Sequence, residues 1–344
     1  MKSILIVRLS AIGDVVMASP LIKAVKRRHP RAHLAWLVQP EVAELLSANP
    51  DLDEVIVWPR SRWYRFWKER RWLRLLKEMR DFRRMLRERE FDMAVDVQGL
   101  LKSGVLGWLS GAPERIGLGS KEGSSLLMTR VLPKPVSDRR IGSEYLHLAR
   151  ELGWESEPFQ MEIARTDEDE SFAREFVERE GLDDGYVVFA PFTTRPQKHW
   201  VEERWAELAK LLYRQWNMPT VILGGPGDRE LFRHLTERFA TPVYGVVGES
   251  TLRQSAAVIG NAKLLVGVDT GMTHMGIAVD TPTVALFGAT CPYLDPGIAA
   301  ARVIYKHYDC SPCRRRPTCA GKFPCMTAIT AQEVAVMAEE VLSS

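Results

Sequence analysis

Short runs of apolar residues, each broken by a polar turn and followed by apolar residues at helical spacing, limit this chain to sheets covered by helices. Ile4-Leu5-Ile6-Val7 is the first such run, and others follow at His33–Val38, Val55–Trp58 and Met93–Val97, with Arg115-Ile116-Gly117 as a later short strand. A strand apolar on both faces is buried on both faces, and strands separated by helical crossovers pair in parallel. A polar, acidic interval from Thr166 to Ser171 precedes a second series at Tyr186–Ala190, Thr220–Leu223, Leu264–Val268 and Thr283–Phe287. The expectation is an α/β chain of two doubly wound units, residues 1–165 and 166–344. With 344 residues and 46% hydrophobic content, the chain can fill two such cores. Ligands of such sheets lie beyond the carboxyl ends of the strands.

Three strand ends carry residues suited to chemistry. The run Leu264-Leu265-Val266 leads into Val268-Asp269-Thr270-Gly271-Met272-Thr273-His274 and then the apolar segment Met275 to Val279, which reads as strand, turn and helix. Gly271 there lets the backbone approach a ligand, and the free N–H groups of the new helix favour a phosphate. The same residues also suit a helix capped by Asp269 or Thr270 with His274 packed beneath it. At the amino terminus, Arg8-Leu9-Ser10-Ala11-Ile12-Gly13-Asp14 precedes Val15, Val16, Met17, Leu21 and Val25. Asp14 falls where a helix starts, so it serves either as a cap or as a proton acceptor kept ionised by the helix end. After Val187-Val188-Phe189-Ala190-Pro191 comes Phe192-Thr193-Thr194-Arg195-Pro196-Gln197-Lys198-His199-Trp200. Its two hydroxyls and two cations suit a diphosphate or an ordinary polar loop, and Trp200, Trp205, Leu208, Leu211 and Leu212 continue as an amphipathic helix.

Net charge is only +3, so global charge gives no argument for nucleic acid; local distribution matters more. Arg60 to Arg89 is rich in Arg and Lys, interleaved with Trp63, Tyr64, Phe66, Trp67 and Trp72. From Arg74 to Arg89 the cations read as a solvated helix face balanced by Glu69, Glu78, Asp81 and Glu88. Arg60, Arg62, Arg65 and Lys68, clustered with aromatics, suit a membrane boundary instead, and no nucleic-acid module accompanies them. No apolar segment is long enough to span a bilayer, and Met1-Lys2-Ser3 leads into a strand rather than a cleavable signal, so a cytoplasmic location is expected. Cys310, Cys313, Cys319 and Cys325 lie close together, with Cys291 apart. Four thiols in one loop suit a structural metal or remain as reduced or oxidation-sensitive thiols, since only the first pair has a metal-knuckle spacing.

Taken in order, these segments resemble the ADP-heptose:lipopolysaccharide heptosyltransferases of glycosyltransferase family 9 over nearly the whole chain. The resemblance is carried by Ser-x-x-Gly-Asp at Ser10 to Asp14, by Asp96-Val97-Gln98-Gly99-Leu100-Leu101-Lys102-Ser103, by Thr193-Thr194-Arg195 with Lys198-His199-Trp200, and by Asp269-Thr270-Gly271 with His274. The stretch Arg60 to Lys68 looks like the basic, Trp-containing acceptor segment of the heptosyltransferase I branch. The resemblance implies a GT-B glycosyltransferase fold of two facing Rossmann-like domains with parallel sheets. The acceptor would lie in 1–165 and the donor in 166–344, which also holds the Cys-rich loop 310–325 and a terminal helix.

The implied reaction is inverting transfer of L-glycero-D-manno-heptose from ADP-heptose to a Kdo hydroxyl of the lipopolysaccharide inner core, with no cofactor or catalytic metal. Asp14 would be the general base and Lys198 would stabilise the leaving diphosphate, with Thr193, Thr194, Thr270, Gly271 and His274 as further donor contacts. Asp269 would hydrogen-bond sugar hydroxyls or fix its turn, and Asp228 would contact the ribose or close a turn. Ser10, Gly13, Arg60, Arg62, Arg65, Lys68 and Gln98 would bind a Kdo-lipid A type acceptor at the inner face of the cytoplasmic membrane, without nucleic acid. After Gly288 the chain departs from the heptosyltransferase I pattern, where Ala289-Thr290-Cys291 and the later cysteine loop replace a simpler stretch. A transferase with another nucleotide sugar or core acceptor, such as a heptosyltransferase II-like enzyme, is an alternative. A noncatalytic nucleotide-binding protein with a cysteine sensor is another. A dinucleotide oxidoreductase lacks support because the first turn has no Gly-x-Gly-x-x-Gly.

Overall fold

The computed structural model describes residues 2–135, 138–154, 158–290, 292–313 and 315–343; Met1 and Cys291, both weighed above, lie outside the described residues. The chain forms two compact units, Met1–Asp138 with Gly142–Phe159, and Arg139–Ile141 with Gln160–Ser344. The division thus falls six residues before 165. Residues just after Phe159 are already tied to the second unit, where Arg165 pairs with Glu170 at 2.5 Å and packs against Gly260. Arg139–Ile141 joins that unit through a parallel bridge from Arg140 to Asp295 and the Ile141 N–H donating to the Asp295 carbonyl.

The first unit holds β1 (Ser3–Val7), β2 (His33–Val38), β3 (Glu54–Val57), β4 (Met93–Asp96), β5 (Glu114–Leu118) and β6 (Arg130–Leu132), in the order β3-β2-β1-β4-β5-β6 with every pair parallel. The second holds β7 (Val187–Ala190), β8 (Thr220–Gly224), β9 (Val243–Val247), β10 (Leu264–Val268), β11 (Thr283–Phe287) and β12 (Ala301–Tyr305), ordered β12-β11-β10-β7-β8-β9 and again all parallel. Three of these strands, β6, β9 and β12, have no counterpart in the sequence reading. They are edge strands: β6 is three residues long and mostly exposed, β12 is interrupted by Arg302, and the apolar β9 holds a glycine at its centre.

Each sheet reverses its strand order once, between β1 and β4 in the first unit and between β7 and β10 in the second. At such a reversal the loops leaving neighbouring strands diverge, and a crevice opens at their carboxyl ends. The helix Glu202–Trp216 buries Trp205, Leu208 and Leu212 under the second sheet, with the Trp205 ring 5.0 Å from Phe189 and 4.9 Å from Trp200. Trp200 precedes that helix, and its indole N–H donates to the Ile329 carbonyl at 3.0 Å, fastening the start of the terminal helix Ala331–Leu342.

The turn after β4 depends on Gly99, whose φ of +68° and close approach to Leu118 leave no room for a side chain: an added Cβ would sit 2.5 Å from the Leu118 carbonyl oxygen. Gly99→Ala is expected to destabilise the protein by about 2–3 kcal/mol in urea unfolding, combining backbone strain with the clash. Gly123→Ala, at φ +80° but facing open space, should cost only about 1 kcal/mol. Equal losses at the two positions would refute the steric part of this account.

Candidate functional site

In the second unit the loops leaving β7 and β10 meet at Asp269, the first residue beyond β10. Its buried carboxylate receives Lys198 Nζ at 2.5 Å and the Thr290 hydroxyl, and faces His274 Nε2 at 3.5 Å. Lys198 also donates to the Asp269 carbonyl at 3.2 Å. The short 3-10 turn Pro196–Lys198 carries the lysine there, and His199 Nε2 against the Thr193 carbonyl, at 2.9 Å, braces the turn from inside. Burial alone would raise the Asp269 carboxyl, but the His274 hydrogen bond and the His274 and Lys198 charges outweigh it and hold the group well below the usual carboxylate range.

His274 is buried in the helix Gly271–Ala278, and its Nδ1 lies 3.1 Å from the Tyr293 hydroxyl. Burial pushes the Tyr293 phenol up, with Asp269 adding to the effect, so it keeps its proton. Asp269 and the Tyr293 hydroxyl face opposite nitrogens of the imidazole ring. Both ring nitrogens therefore face partners within the protein. The capping alternative is also set aside. Thr270 occupies the N-cap with extended backbone but makes no side-chain cap, and Asp269 turns to Lys198 and His274 instead. The first N–H groups of that helix thus lack a side-chain acceptor from Thr270. Gly271 is an ordinary helical residue and not one of the left-handed glycines, so its value lies in its bareness. The Thr193 and Thr194 hydroxyls make no hydrogen bond among the described residues. Asp228 closes the turn after β8 by accepting the Gly225 N–H at 2.8 Å.

In the first unit the corresponding loops leave β1 and β4. Arg8, immediately after β1, is buried with 7% of its side chain exposed; it donates to the Val97 carbonyl at 3.0 Å and pairs with Asp14. Asp14 also accepts the Ala11 N–H at 3.2 Å, so it caps the helix Ile12–Ala18, while 40% of its side chain stays exposed. The cap and the available carboxylate are one residue. The Tyr145 hydroxyl approaches the Asp14 carbonyl at 3.5 Å. Across the reversal, Asp96 accepts the N–H groups of Gln98 and Gly99 at 3.0 and 3.1 Å and the Ser103 hydroxyl at 3.0 Å. Gln98 in turn accepts the Leu9 N–H at 2.8 Å. Gln98 therefore stitches the two loops together. Ser10 lies half-buried in the loop and Gly13 is buried within the helix. Burial pushes the Lys102 ammonium down, and the charges of Arg60 and Arg8 add to that shift, so three cations share one field.

The basic stretch folds as two helices, Arg60–Lys68 and Trp72–Arg87. Trp63 and Phe66 turn inward, and Arg62 is held by Glu78 at 2.6 Å, whereas Arg60, Arg65 and Lys68 have no acidic partner among the described residues. Cys310, Cys313, Cys319 and Cys325 are all free thiols, and no group of three or more potential metal ligands occurs among the described residues. Burial pushes the Cys313 and Cys325 thiols up, and neighbouring thiols push them further, which favours the protonated form. Cys325 is packed against Gly288, where an added Cβ would lie 2.8 Å from its sulfur.

Arg8, Tyr145, Thr290 and Tyr293 were not singled out by the sequence reading. A signal existed for Arg8, since a cation directly behind a wholly apolar strand must find a buried partner. Tyr293 and Thr290 act through contacts distant in sequence and left no local pattern.

Comparison with known proteins adds the following. The model of glycosyltransferase family 9 (heptosyltransferase) matches residues 79–323. Lipopolysaccharide heptosyltransferase 1 of Escherichia coli (strain K12) is 29% identical over 88% of this chain and 92% of its own. Lipopolysaccharide heptosyltransferase 2 of Salmonella typhimurium (strain LT2) is 26% identical over 99% of this chain and 98% of its own. The solved structure of E. coli heptosyltransferase WaaC with ADP-2-deoxy-2-fluoro heptose superposes with a TM-score of 0.73 at 27% identity, covering 98% of this chain and 99% of that one. The two parallel sheets and this likeness give the GT-B fold.

Asp269→Asn leaves Lys198 without its counter-charge and the His274 ring without its carboxylate, and should cost about 3 kcal/mol at pH 7, read by urea unfolding. The native carboxyl is depressed below its ordinary 3.8, so its contribution is present above that value and is lost as pH falls towards the native pKa. The gap between wild type and variant should therefore close below about pH 4. A gap independent of pH would count against the ion-pair origin.

Proposed function

The chain belongs to glycosyltransferase family 9, and from that premise we propose that it transfers L-glycero-D-manno-heptose from ADP-heptose to a Kdo hydroxyl of the lipopolysaccharide inner core. The observation that carries the mechanism is the coincidence of the charged residues with the two strand reversals. In the first unit Asp14 is a partly exposed carboxylate held by a buried arginine, as a general base requires. It takes the proton of the acceptor hydroxyl as that oxygen attacks the anomeric carbon. The carbon–oxygen bond to ADP breaks in the same displacement with inversion, so no covalent glycosyl-enzyme forms.

In the second unit Lys198 exchanges part of its pairing with Asp269 for the diphosphate, whose growing negative charge it stabilises. The unpaired Thr193 and Thr194 hydroxyls and the N–H groups at Thr270 and Gly271 supply further donors. Asp269 anchors Lys198 and hydrogen-bonds the sugar, Asp228 contacts the ribose, and His274 acts on the site through Asp269. Protein cations meet the leaving-group charge in this scheme, with no metal needed. Ser10, Gly13 and Gln98 shape the acceptor side, and Arg60, Arg65 and Lys68, together with Arg62 once released from Glu78, receive the anionic groups of a Kdo-lipid A type acceptor. The proposed place of action is the cytoplasmic face of the membrane that carries this acceptor. The basic Trp-containing helix and the 29% identity favour the heptosyltransferase I type; the 26% relative of the second type, matching 99% of the chain, keeps that type as the second reading.

Incubation with ADP-heptose and Kdo-bearing lipid A should add one heptose by mass, and turnover should persist in EDTA. Asp14→Asn should retain near-normal ADP binding while kcat falls by about 10²–10⁴-fold. Unchanged transfer would reject Asp14 as the base. ADP binding by the wild type with no transfer to any core acceptor would support the noncatalytic alternative.

A further inference from the structure

Among the described residues, four buried side-chain nitrogens have no hydrogen-bond partner within the protein: Arg8 Nε, Gln39 Nε2, Trp58 Nε1 and Trp63 Nε1. All four belong to one edge of the first sheet. Arg8, Gln39 and Trp58 are the first residues beyond β1, β2 and β3, and Trp63 lies in the helix that follows β3. Arg8 already commits its terminal nitrogens to Asp14 and the Val97 carbonyl. The other three residues share a face. Leu37 and Ile56 point into the core that holds Trp63, and Trp58 packs against that core. Gln39 follows Leu37 by two residues with its backbone still extended, at φ −78° and ψ 153°, so its side chain leaves the sheet on the same side. It is only 5% exposed. Register sets it next to Trp58, since Val38 pairs with Val57 and the Trp58 N–H donates to the Val38 carbonyl at 2.8 Å. The Trp58 and Trp63 rings meet edge-on with centroids 6.0 Å apart.

A buried N–H without an acceptor is costly, and three of them gathered at the carboxyl edge of a sheet suit a ligand better than they suit a core. We propose that the N–H groups of Gln39, Trp58 and Trp63 form a subsite for a carboxylate, that of the acid sugar receiving the heptose. The identity of that sugar rests on the proposed transfer reaction. An indole nitrogen can only donate, so a matching group must only accept. Water does not qualify, because it carries two hydrogens that need acceptors of their own. A sugar hydroxyl carries one. A carboxylate carries none, and its two oxygens offer about four acceptor positions. Its charge is met by Arg60, which is exposed, has no acidic partner among the described residues, and donates its backbone N–H to the Trp58 carbonyl at 2.8 Å. A phosphate calls for cations within the site, whereas these three donors are neutral. Choice of an acid sugar over a neutral one follows, since a neutral sugar leaves buried donors unpaired.

The test follows the indole N–H resonances of the isotope-labelled full chain by nuclear magnetic resonance, assigned through Trp58→Phe and Trp63→Phe. The methyl glycoside of Kdo should move both resonances downfield, whereas its methyl ester and inorganic phosphate should leave them in place. Trp58→Phe should raise KM for Kdo-bearing lipid A about tenfold, with kcat falling less, and should lose no stability in urea, because an unpaired donor contributes nothing to the free protein. Gln39→Glu sets a rival carboxylate beside the indoles and should weaken binding of the glycoside about tenfold with unchanged circular dichroism. Indole resonances that ignore the glycoside, or that answer the ester or phosphate equally, overturn the proposal. So does a Trp58→Phe variant that loses urea stability at unchanged KM, since the indole would then hold a structural water only. Indole shifts with the glycoside but no heptose transfer would sink the transfer reaction alone. Normal transfer with unchanged KM in both Trp58→Phe and Gln39→Glu would sink the subsite alone.

Discussion

A parallel sheet that reverses its strand order leaves one place where two neighbouring loops part, and both units of this protein put their charged residues there. The loops are then joined by side chains. In the first unit Arg8 reaches the Val97 carbonyl and Gln98 accepts the Leu9 N–H; in the second, Lys198 reaches Asp269. Without these links the loop ends would be free to move apart. With them, each crevice is held to one geometry, which is what a site that must position a diphosphate or a hydroxyl requires.

The two reversals use opposite charge arrangements. In the first, the residue directly after the strand is a buried cation, Arg8, and the carboxylate it holds, Asp14, is partly open. In the second, the residue after the strand is a buried carboxylate, Asp269, and the cation comes from the other loop. A buried ion is tolerated only when paired and hydrogen-bonded, so each fixed charge compels a partner to stay. Asp269 shows the extent of this compensation, with Lys198, His274 and Thr290 all directed at one carboxylate. Such an arrangement contributes little net stability over a well-packed apolar core. Its value is to keep an ammonium group at a chosen point beside an uncapped helix start.

Much of this was legible in the sequence because parallel strands in a covered sheet must be apolar on both faces. Ile4–Val7 and Leu264–Val268 read as strands for that reason, and both are buried throughout. Of the four edge strands only β3 was legible; Arg130–Leu132 is largely exposed and Val243–Val247 only half-buried. Among the site residues, Asp14, Lys198 and Asp269 stood in local patterns, and the structure puts each at a strand reversal. The roles of neighbours were harder to read. The resemblance implies a donor contact for His274; in the structure Tyr293, nineteen residues later, and Asp269 face its two nitrogens. A local pattern can place a residue near a ligand, but only tertiary contacts show where its hydrogen bonds are already committed.

The segment after β11 is wired directly into the Asp269 cluster. Thr290 donates to Asp269, Tyr293 meets His274, and the Tyr293 ring lies edge-on to Phe287 with centroids 5.1 Å apart. Contacts to a diphosphate, made by backbone N–H groups, hydroxyls and an ammonium, are indifferent to the sugar beyond it. Discrimination among nucleotide sugars must therefore come from groups with fixed direction and little freedom to adapt, because a buried polar group left unpaired by the wrong sugar is what makes rejection strong. Asp269 meets that condition, being buried and oriented by three partners. Since two of the contacts that orient this cluster arise in that segment, changes there can turn the Asp269 carboxylate and the His274 ring while leaving Lys198, Thr193 and Thr194 untouched.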